Sequence, residues 1–294
     1  MFATIDGVRR KVTVGRTARH IAQATRKIVK GEFDVRVEPP SWFSDENFGE
    51  IITCFNKMAE ELSGVETLRT DFISNVSHEM KTPLAVMQNY ASLLQTPGLD
   101  EEKRMEYAKV IADGSRRLSD MMTNILKLNR LENQQIYPQM QRYDLGEQLA
   151  ECLLAHEMIW ETKRIELEID MDEDVLIYGD PELLSLVWSN LFSNAFKFTP
   201  ECGMVTISLK ADERYAIVTV KDTGCGMSCE VGAHIFEKFY QGDRSHATQG
   251  NGLGLALVKR VIDILHGEIR VESTVGLGSV FTVKIRKDGN QSED

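Results

Sequence analysis

Asp-Phe-Ile-Ser-Asn-Val-Ser-His-Glu-Met-Lys-Thr-Pro-Leu, residues 71–84, lies in the middle of a long helical pattern. His78 and Thr82 share one helix face, because they are four positions apart. A histidine next to a carboxylate, here Glu79, can act as a nucleophile with its base adjacent. Pro83 is expected to bend the helix just past this histidine, since proline lacks an N–H and clashes with the preceding turn. An ordinary solvated surface explains most such pairs, so the stretch needs support from the rest of the chain.

Size and charge restrict the class of protein. A length of 294 residues predicts two or three domains, and the composition is that of a globular protein. The formal net charge of −11 argues against general binding to nucleic acid. Five cysteines, at positions 54, 152, 202, 225 and 229, lack paired metal-ligand spacing, which predicts reduced thiols in a cytosolic protein.

The N-terminal segment is locally basic. No run of about 18 apolar residues occurs, so no part of the chain is predicted to span a bilayer, and no secretory signal is visible. The cytoplasmic flank of a membrane helix is often basic in this way, and a solvated basic N terminus is the alternative. The basic residues are Arg9, Arg10, Lys11, Arg16 and Arg19.

Two short helices with narrow apolar seams are predicted upstream of residues 71–84. Gly31 ends the first, and residues 38–41 belong to an extended connector. Because neither helix can bury its stripe alone, we expect a parallel dimer that makes four helices, with an ordinary coiled-coil stalk as the alternative. The first seam is Val14, Ala18, Ile21, Thr25 and Ile28, and the second is Ile51, Phe55, Met58, Leu62 and Val65.

A helical hairpin is predicted around His78. The helix that carries this histidine continues to a turn at residues 96–98, and a second amphipathic helix follows. Arms with one apolar seam each pack well as a dimeric antiparallel four-helix bundle, with His78 projecting outward near the bend. The second seam consists of Ile111, Gly114, Leu118, Met121, Ile125, Leu128 and Leu131.

Beyond a break at residues 133–140, helix and strand patterns alternate. Strands with helices on one side predict a two-layer α+β sandwich. Helices are predicted at residues 144–162, 181–198 and 254–265, and strands at 165–169, 175–178, 204–209, 216–221, 268–273 and 279–285, with 204–221 forming a hairpin.

Three stretches of this second half suit a nucleotide. Asn190, Asn194 and Lys197 form a polar stripe on an otherwise apolar helix, and oxygen ligands of this kind suit Mg²⁺. Asp222 directly follows a strand and can accept a hydrogen bond from an adenine amino group. A third stretch, residues 250–255, is a glycine-rich turn that opens a helix, where N–H groups can bind phosphate. Between the last two lie the aromatic segment 235–240 and a polar segment, 241–249, predicted to be a lid.

These motifs together resemble one family. Residues 77–84 are similar to the phospho-acceptor box of the sensor histidine kinases of two-component systems. In the family's order, residues 190–197, 222–226, 235–240 and 250–255 resemble its N, G1, F and G2 boxes. Residues 31–34 and 47–50 resemble the recurring positions of a HAMP signal-relay module. The resemblance extends from about residue 10 to about residue 286.

The resemblance implies a multidomain fold. It consists of an all-α N-terminal part, in which a HAMP parallel four-helix bundle and an antiparallel four-helix bundle both form by dimerisation. An α+β two-layer sandwich, an ATP-binding domain of the GHKL type, follows. The implied domains are residues 10–64 for HAMP, 65–135 for the dimerisation and histidine-phosphotransfer hairpin, and 140–287 for the ATP-binding domain.

The resemblance also implies site residues. His78 would be phosphorylated from ATP with Glu79 as proton acceptor, and Thr82 would orient water in a phosphatase reaction. Asn194 would bind Mg²⁺. Many relatives carry arginine where this chain has Gln241, and Arg244 could replace it at the phosphates. The implied nucleotide-binding residues are Asn190, Asn194, Lys197, Asp222, Gly224, Gly226, Phe239, Arg244, Gly250, Gly252, Leu253 and Gly254.

The implied partners are a second copy of the chain and the receiver domain of a response regulator, with no nucleic acid. A membrane enters only through a transmembrane segment missing from this chain, which by itself is expected to be soluble and cytoplasmic. Two alternatives stay open. Gyrase-like and chaperone ATPases share the ATP-binding fold but lack the His78 box. An ATP-binding signalling scaffold with little kinase activity is kept open by Gln241.

Overall fold

The computed structural model describes residues 18–38, 46–132, 138–242 and 251–288. A helical N-terminal region precedes an α+β domain, as the sequence predicts. The chain divides into two compact units, Met1–His78 and Glu79–Asp294. Among the helices of the described ranges, none is both long enough and apolar enough to cross a membrane.

The first unit contains helix α1, residues 18–29, and the start of helix α2, Glu46–Leu94. Gly31 ends α1 with φ of 88°. The N–H of Gly31 donates to Ile28 O and that of Glu32 to Lys27 O. These two bonds form a Schellman motif, in which a glycine adopts the left-handed conformation that other residues disfavour. Residues 14–17 of the first predicted seam, and residues 39–41 of the connector, lie outside the described residues.

The extended connector of this unit is bonded to α2. The Asn56 side chain accepts from Val37 N and donates to Val37 O, both at 2.9 Å. Val37 is thereby held in a small core with Ala24, Ile52 and Phe55.

Helix α2 has two apolar stripes in this unit. Ile52, Phe55 and Ala59 are buried within the unit. Of the predicted seam only Phe55 is buried, while Ile51, Met58 and Val65 are 48%, 46% and 62% exposed. The core of the first unit is therefore formed by the stripe of Ile52, Phe55 and Ala59, which lies next to the predicted seam on the surface of α2.

The second unit begins with a helical hairpin. α2 continues without interruption across Pro83 to Leu94, and α3, Glu101–Glu132, returns along it. Gly114 permits a close approach of the two arms, because a Cβ there would lie 2.8 Å from Met87 Cγ. The rings of Tyr90 and Tyr107 meet edge to face with centroids 5.2 Å apart.

The α+β domain follows. Its five-stranded sheet has the order β2-β4-β5-β7-β6, with β2 and β4 parallel and the other pairs antiparallel, and β1 pairs with β3 in a small separate sheet. Its elements are β1 Gln141–Asp144, α4 Leu145–Leu154, α5 Glu157–Lys163, β2 Glu166–Met171, β3 Leu176–Gly179, α6 Pro181–Phe198, β4 Met204–Ala211, β5 Tyr215–Asp222, α7 Cys229–His234, α8 Gly254–Ile264, β6 Glu268–Thr274 and β7 Gly278–Arg286.

The core of the domain lies between the helices and one face of this sheet. Burial alternates along β4 and β5, as expected of strands with one face covered. Trp188, Phe192 and Phe196 of α6 are fully buried. This arrangement confirms the predicted two-layer α+β architecture.

One predicted helix is wrong. Residues 144–162 form two helices, α4 and α5, rather than one. The break lies at His156, whose ring packs against Phe196 of α6 with centroids 6.1 Å apart. Strand β1 and helix α7 were not predicted, since both are short and neither has a clear period.

The last turn of α3 contacts the α+β domain. Arg260 of α8 donates from Nε and Nη2 to Leu131 O, at 3.2 and 3.1 Å. Lys238 forms an ion pair with Glu132 at 2.5 Å. Leu128 and Leu131 are each 1% exposed, so apolar packing accompanies these polar contacts.

Candidate functional site

Helix α6 carries the predicted polar stripe. Asp180 caps its first turn by accepting from Leu183 N at 3.0 Å, which fixes where the helix begins. Asn190, Asn194 and Lys197 are all partly exposed, while the apolar side of the helix is buried in the core. The helix therefore presents two amide groups and an ammonium along one side of the domain.

Asn190 contacts the start of helix α8. Its Nδ2 donates to Leu186 O at 2.7 Å. A Cβ on Gly254 would lie 2.5 Å from Asn190 Oδ1, so a larger residue there would displace the Asn190 side chain. Leu253, which precedes α8, is fully buried and provides no side-chain cap. The N–H groups of the first turn of α8 are therefore suited to an anion.

The aromatic segment packs on the same glycine turn. Gly252 has φ of 64°, and a Cβ there would lie 2.6 Å from Phe239 C. The N–H of Phe239 donates to Gly252 O at 2.9 Å. The structure thus brings the 235–240 segment, the glycine turn and α6 together.

Asp222 lies at the end of β5 and is 5% exposed. Its Oδ1 accepts from Gly224 N at 2.8 Å. Burial raises the pKa of this carboxyl above its usual value, against the opposing effect of backbone hydrogen bonds from Gly224 and Ser279. A Cβ on Gly224 would lie 2.7 Å from Phe198 O, so this loop packs against the carboxyl end of α6.

Two backbone positions beside Asp222 require glycine. Gly226 has φ of 63°, and its Cβ would lie 1.9 Å from Thr274 O. Gly278 was not predicted as a site residue, yet its Cβ would lie 1.9 Å from Asp222 O. The signal that could have identified it is the Gly276-Leu277-Gly278 turn between the two last predicted strands.

Lys197 is a partly buried ammonium near the end of α6. Its Nζ lies 4.5 Å from the centroid of the Phe198 ring. Burial lowers the pKa of this amine. A desolvated cation next to two amide side chains suits an anionic ligand.

Amide oxygens are the ligands available for a metal ion. In the described parts of the chain, no cluster of three or more His, Cys, Asp or Glu side chains could hold a metal. The oxygens of Asn190 and Asn194 are the type of donor that Mg²⁺ prefers. The residues present therefore fit Mg²⁺ held jointly with a ligand rather than in an all-protein site.

The remaining predicted residues lie on α2 or outside the described residues. His78, Glu79 and Thr82 all lie on α2; His78 and Thr82 are exposed and Glu79 is partly exposed. Arg244 and Gly250, like the rest of segment 243–250, lie outside the described residues.

Two family models match the chain. Residues 68–134 match the His Kinase A (phospho-acceptor) domain. Residues 179–289 match the histidine kinase-, DNA gyrase B- and HSP90-like ATPase family. The first match covers the hairpin with His78, and the second covers the nucleotide residues of α6 and both glycine turns.

Several known proteins are similar to the chain. The sensor-like histidine kinase SenX3 of Mycobacterium tuberculosis is 35% identical over 223 residues, covering 75% of this chain and 54% of SenX3. The heme sensor protein HssS of Staphylococcus saprophyticus is 29% identical over 287 residues, covering 98% of this chain and 61% of HssS. The chain therefore spans little more than half the length of these relatives.

A solved structure is also similar. Full-length ShkA in complex with AMPPNP superposes with a TM-score of 0.55 at 29% sequence identity. The match covers 76% of this chain and 46% of ShkA.

Proposed function

Because this chain belongs to the sensor histidine kinases of two-component systems, we propose that it phosphorylates His78 from ATP. The phosphoryl group then passes to an aspartate on the receiver domain of a response regulator. One observation carries this proposal. The acceptor box on α2 and the glycine-turn site around α6 occur in one chain, whereas an ATPase without a phosphohistidine needs only the second.

The proposed reaction is an in-line displacement at the γ-phosphorus. Glu79 accepts the proton from one ring nitrogen of His78, so that the other nitrogen is the stronger nucleophile. A bond forms between this nitrogen and phosphorus, while the bond from phosphorus to the β–γ bridging oxygen breaks. The electron pair leaves with ADP. His78 and Glu79 are adjacent on α2, and both reach solvent.

The proposed nucleotide site assigns a role to each group. The Asp222 carboxyl accepts a hydrogen bond from the adenine amino group, and Gly224 and Gly226 let the backbone approach the base. Asn190 and Lys197 contact the phosphates. The Gly252–Gly254 turn, with Leu253 and Phe239 behind it, presents the N–H groups of α8 to phosphate. ShkA, whose structure contains AMPPNP, supports a nucleotide at this fold.

Mg²⁺ is part of this proposal. When bound through Asn194, it neutralises charge on the phosphates. Arg244, which precedes the glycine turn in sequence, and Gly250, the first residue of that turn, are proposed to complete the phosphate contacts.

The active protein is proposed to be a homodimer. Ile51, Met58 and Val65 of α2 and Met122 and Leu126 of α3 are exposed apolar residues at helical spacing, 46–62% exposed. A second copy of the chain would bury them in a HAMP-type parallel bundle and in an antiparallel bundle. Exposed stripes of this kind need a partner, which supports the dimer.

The proposed domains are residues 10–64, 65–135 and 140–287, and the proposed location is the cytoplasmic side of a membrane. The basic residues between Arg9 and Arg19 support this location.

Thr82, one turn after His78, is proposed to orient water for dephosphorylation of the regulator. The phosphatase reaction is a second activity of the same hairpin.

The test is incubation of the full chain with Mg²⁺ and γ-labelled ATP, followed by acid and alkali treatment of the labelled protein. We expect an acid-labile, alkali-stable label on wild type and none on His78→Gln. His266→Gln, which removes an exposed histidine of the ATP-binding domain, is the matched control and should keep the label. An undiminished label on His78→Gln would overturn the assignment. ATP binding without any label would favour the signalling scaffold, with Gln241→Arg the next variant.

A further inference from the structure

Lys163 is the last residue of α5, and its ammonium group is bonded to the carboxyl end of α6. Nζ donates to Phe196 O at 2.8 Å, to Lys197 O at 2.9 Å and to Thr199 O at 2.9 Å. The side chain is partly buried. An ammonium has three donors, so all of its hydrogen bonds are used on one helix end.

These bonds complete the cap of α6. The last carbonyls of a helix have no partner within the helix and must be satisfied elsewhere. Thr199 satisfies Ala195 O, from its N–H at 3.0 Å and from Oγ1 at 2.7 Å. Lys163 satisfies the next two carbonyls, which fixes the direction of the final turn.

The backbone of Lys163 is held in the same place. Its carbonyl accepts from Cys202 N at 2.9 Å, and Glu166 N donates to Gly203 O at 2.8 Å. A Cβ on Gly203 would lie 3.1 Å from Thr223 Oγ1, next to Asp222. The end of α5 is therefore fixed against the loop that joins α6 to β4.

The final turn of α6 carries much of the nucleotide site. Asn194 and Lys197 both lie within its last five residues, and Phe198 O packs against the Gly224 loop. The carboxyl end of a helix also carries a partial negative charge of about half an elementary charge. Without compensation, this charge would repel a nucleotide triphosphate bound beside it.

We propose that Lys163 is a positioning residue of the nucleotide site, acting on phosphate rather than on adenine. It orients Asn194 and Lys197 by fixing the final turn of α6, and it offsets the negative charge of the helix end. This inference rests on the proposed function, because it assumes that the triphosphate binds at these residues. Lys163 itself does not contact the nucleotide.

The test compares two ligands on one protein. In the full chain, Lys163→Met removes the charge and all three donors while keeping the length of the side chain. We expect the affinity for Mg²⁺-AMPPNP, measured by calorimetry, to fall by about tenfold, the size of a partly buried charge–dipole interaction. Affinity for adenosine should change by less than about twofold, since adenosine has no phosphate. Lys163→Arg, which keeps charge and donors, should restore most of the AMPPNP affinity.

Lys210→Met is the matched control. It also removes one lysine and its ionic contacts, here with Asp170 of β2 and with Asp172 just after that strand. Both affinities should stay as in wild type. An equal loss for AMPPNP and adenosine, or no loss for either, would overturn the inference. If Lys163→Met fails to fold, as judged by thermal unfolding, Lys163→Gln, which has a shorter side chain, replaces it. The same loss of AMPPNP affinity without a loss of adenosine affinity is then expected. A wild type that binds neither ligand would instead refute the proposed function.

Discussion

Asp222 is a buried carboxyl at the end of β5, where it accepts the N–H of Gly224 at 2.8 Å. Burial raises the pKa of this group in the folded protein. The ionised form is therefore less favourable in the folded state than in the unfolded chain at neutral pH. That unfavourable contribution is lost as the pH falls through the raised pKa towards the ordinary pKa of the unfolded chain, because the folded protein then binds the proton. A carboxyl kept here at the expense of stability is typical of a binding site.

Asp222→Asn should stabilise the unliganded protein and weaken nucleotide binding. The amide oxygen can still accept from Gly224 N, so the fold keeps this bond without the charge. The gain in free energy of unfolding at neutral pH should be about 1 kcal/mol, a typical single-site effect. ATP affinity should fall by about tenfold, the size of one hydrogen bond to a charged group. Thermal unfolding at several pH values should show the difference in stability shrinking as the pH falls.

Asp212→Asn is the control, because the pKa of Asp212 is shifted in the opposite direction to that of Asp222. Hydrogen bonds from the N–H groups of Tyr215 and Arg214 lower the pKa of Asp212, an exposed carboxyl in the β4–β5 turn. Its ionised form therefore stabilises the fold at neutral pH, and this contribution is lost as the pH falls through the lowered pKa. Asp212→Asn should reduce stability at neutral pH without changing ATP affinity. Equal pH profiles for the two variants would contradict the burial argument.

At the scale of elements, the β6–β7 hairpin supports the Asp222 loop. Its Ser273 Oγ accepts from Met227 N at 2.8 Å and donates to Gly278 O at 2.9 Å. Gly276 N donates to Cys225 O at 2.7 Å. The hairpin turn and the loop after β5 are thus bonded along their length, and the position of Asp222 depends on both.

Two glycines of this turn give a matched pair of variants. Both have positive φ, 79° at Gly276 and 101° at Gly278. A Cβ at Gly276 meets nothing within 4 Å, whereas a Cβ at Gly278 would lie 1.9 Å from Asp222 O. Gly276→Ala should cost about 1 kcal/mol, from left-handed backbone strain alone. Gly278→Ala should cost about 2 kcal/mol more and should also reduce ATP affinity, because the Asp222 backbone must move.

Urea denaturation and calorimetry of both alanine variants measure these effects. Similar stability and similar ATP affinity in the two variants would show that the Gly278 contact does not position Asp222. A change in affinity for Gly276→Ala alone would contradict the geometry directly.

At the scale of the whole second unit, two polar contacts of different strength join α3 to the ATP-binding domain, beside the apolar packing of Leu128 and Leu131. Arg260 makes two hydrogen bonds to Leu131 O in a partly buried setting. The Lys238–Glu132 ion pair is more open, with each side chain 39% exposed. Exposed ion pairs contribute little because solvent and salt screen them.

Arg260→Met should therefore destabilise the unit more than Glu132→Gln. We expect a loss of about 1.5–2 kcal/mol for Arg260→Met, which leaves Leu131 O without its charged donor. For Glu132→Gln the loss should be about 0.5 kcal/mol at low salt and should vanish in about 1 M salt. Urea denaturation at the two salt concentrations gives both values. A larger, salt-resistant loss for Glu132→Gln would reverse this order.

The sequence alone determined the elements and most of the candidate site. Apolar spacing predicted the hairpin and the strands of the main sheet within one or two residues; β5, for example, was predicted at residues 216–221 and is Tyr215–Asp222. Glycine turns and the Asn190 stripe indicated the candidate nucleotide site, because such motifs express a local backbone requirement. Periodicity and turn chemistry act over a few neighbouring residues, so they can be read from the chain itself.

Only the tertiary structure decided which distant residues meet. It divided the predicted 144–162 helix at His156, which packs on α6, and it placed Gly278 against Asp222 and Lys163 against the end of α6. It also separated the stripe of α2 that is buried within the first unit from the neighbouring exposed one. In the ATP-binding domain, these contacts join residues that are 33 to 56 positions apart in the sequence. In the first unit, the bonded residues Val37 and Asn56 are 19 positions apart. No local pattern specifies them, because their energy comes from packing and desolvation that exist only once the elements have assembled.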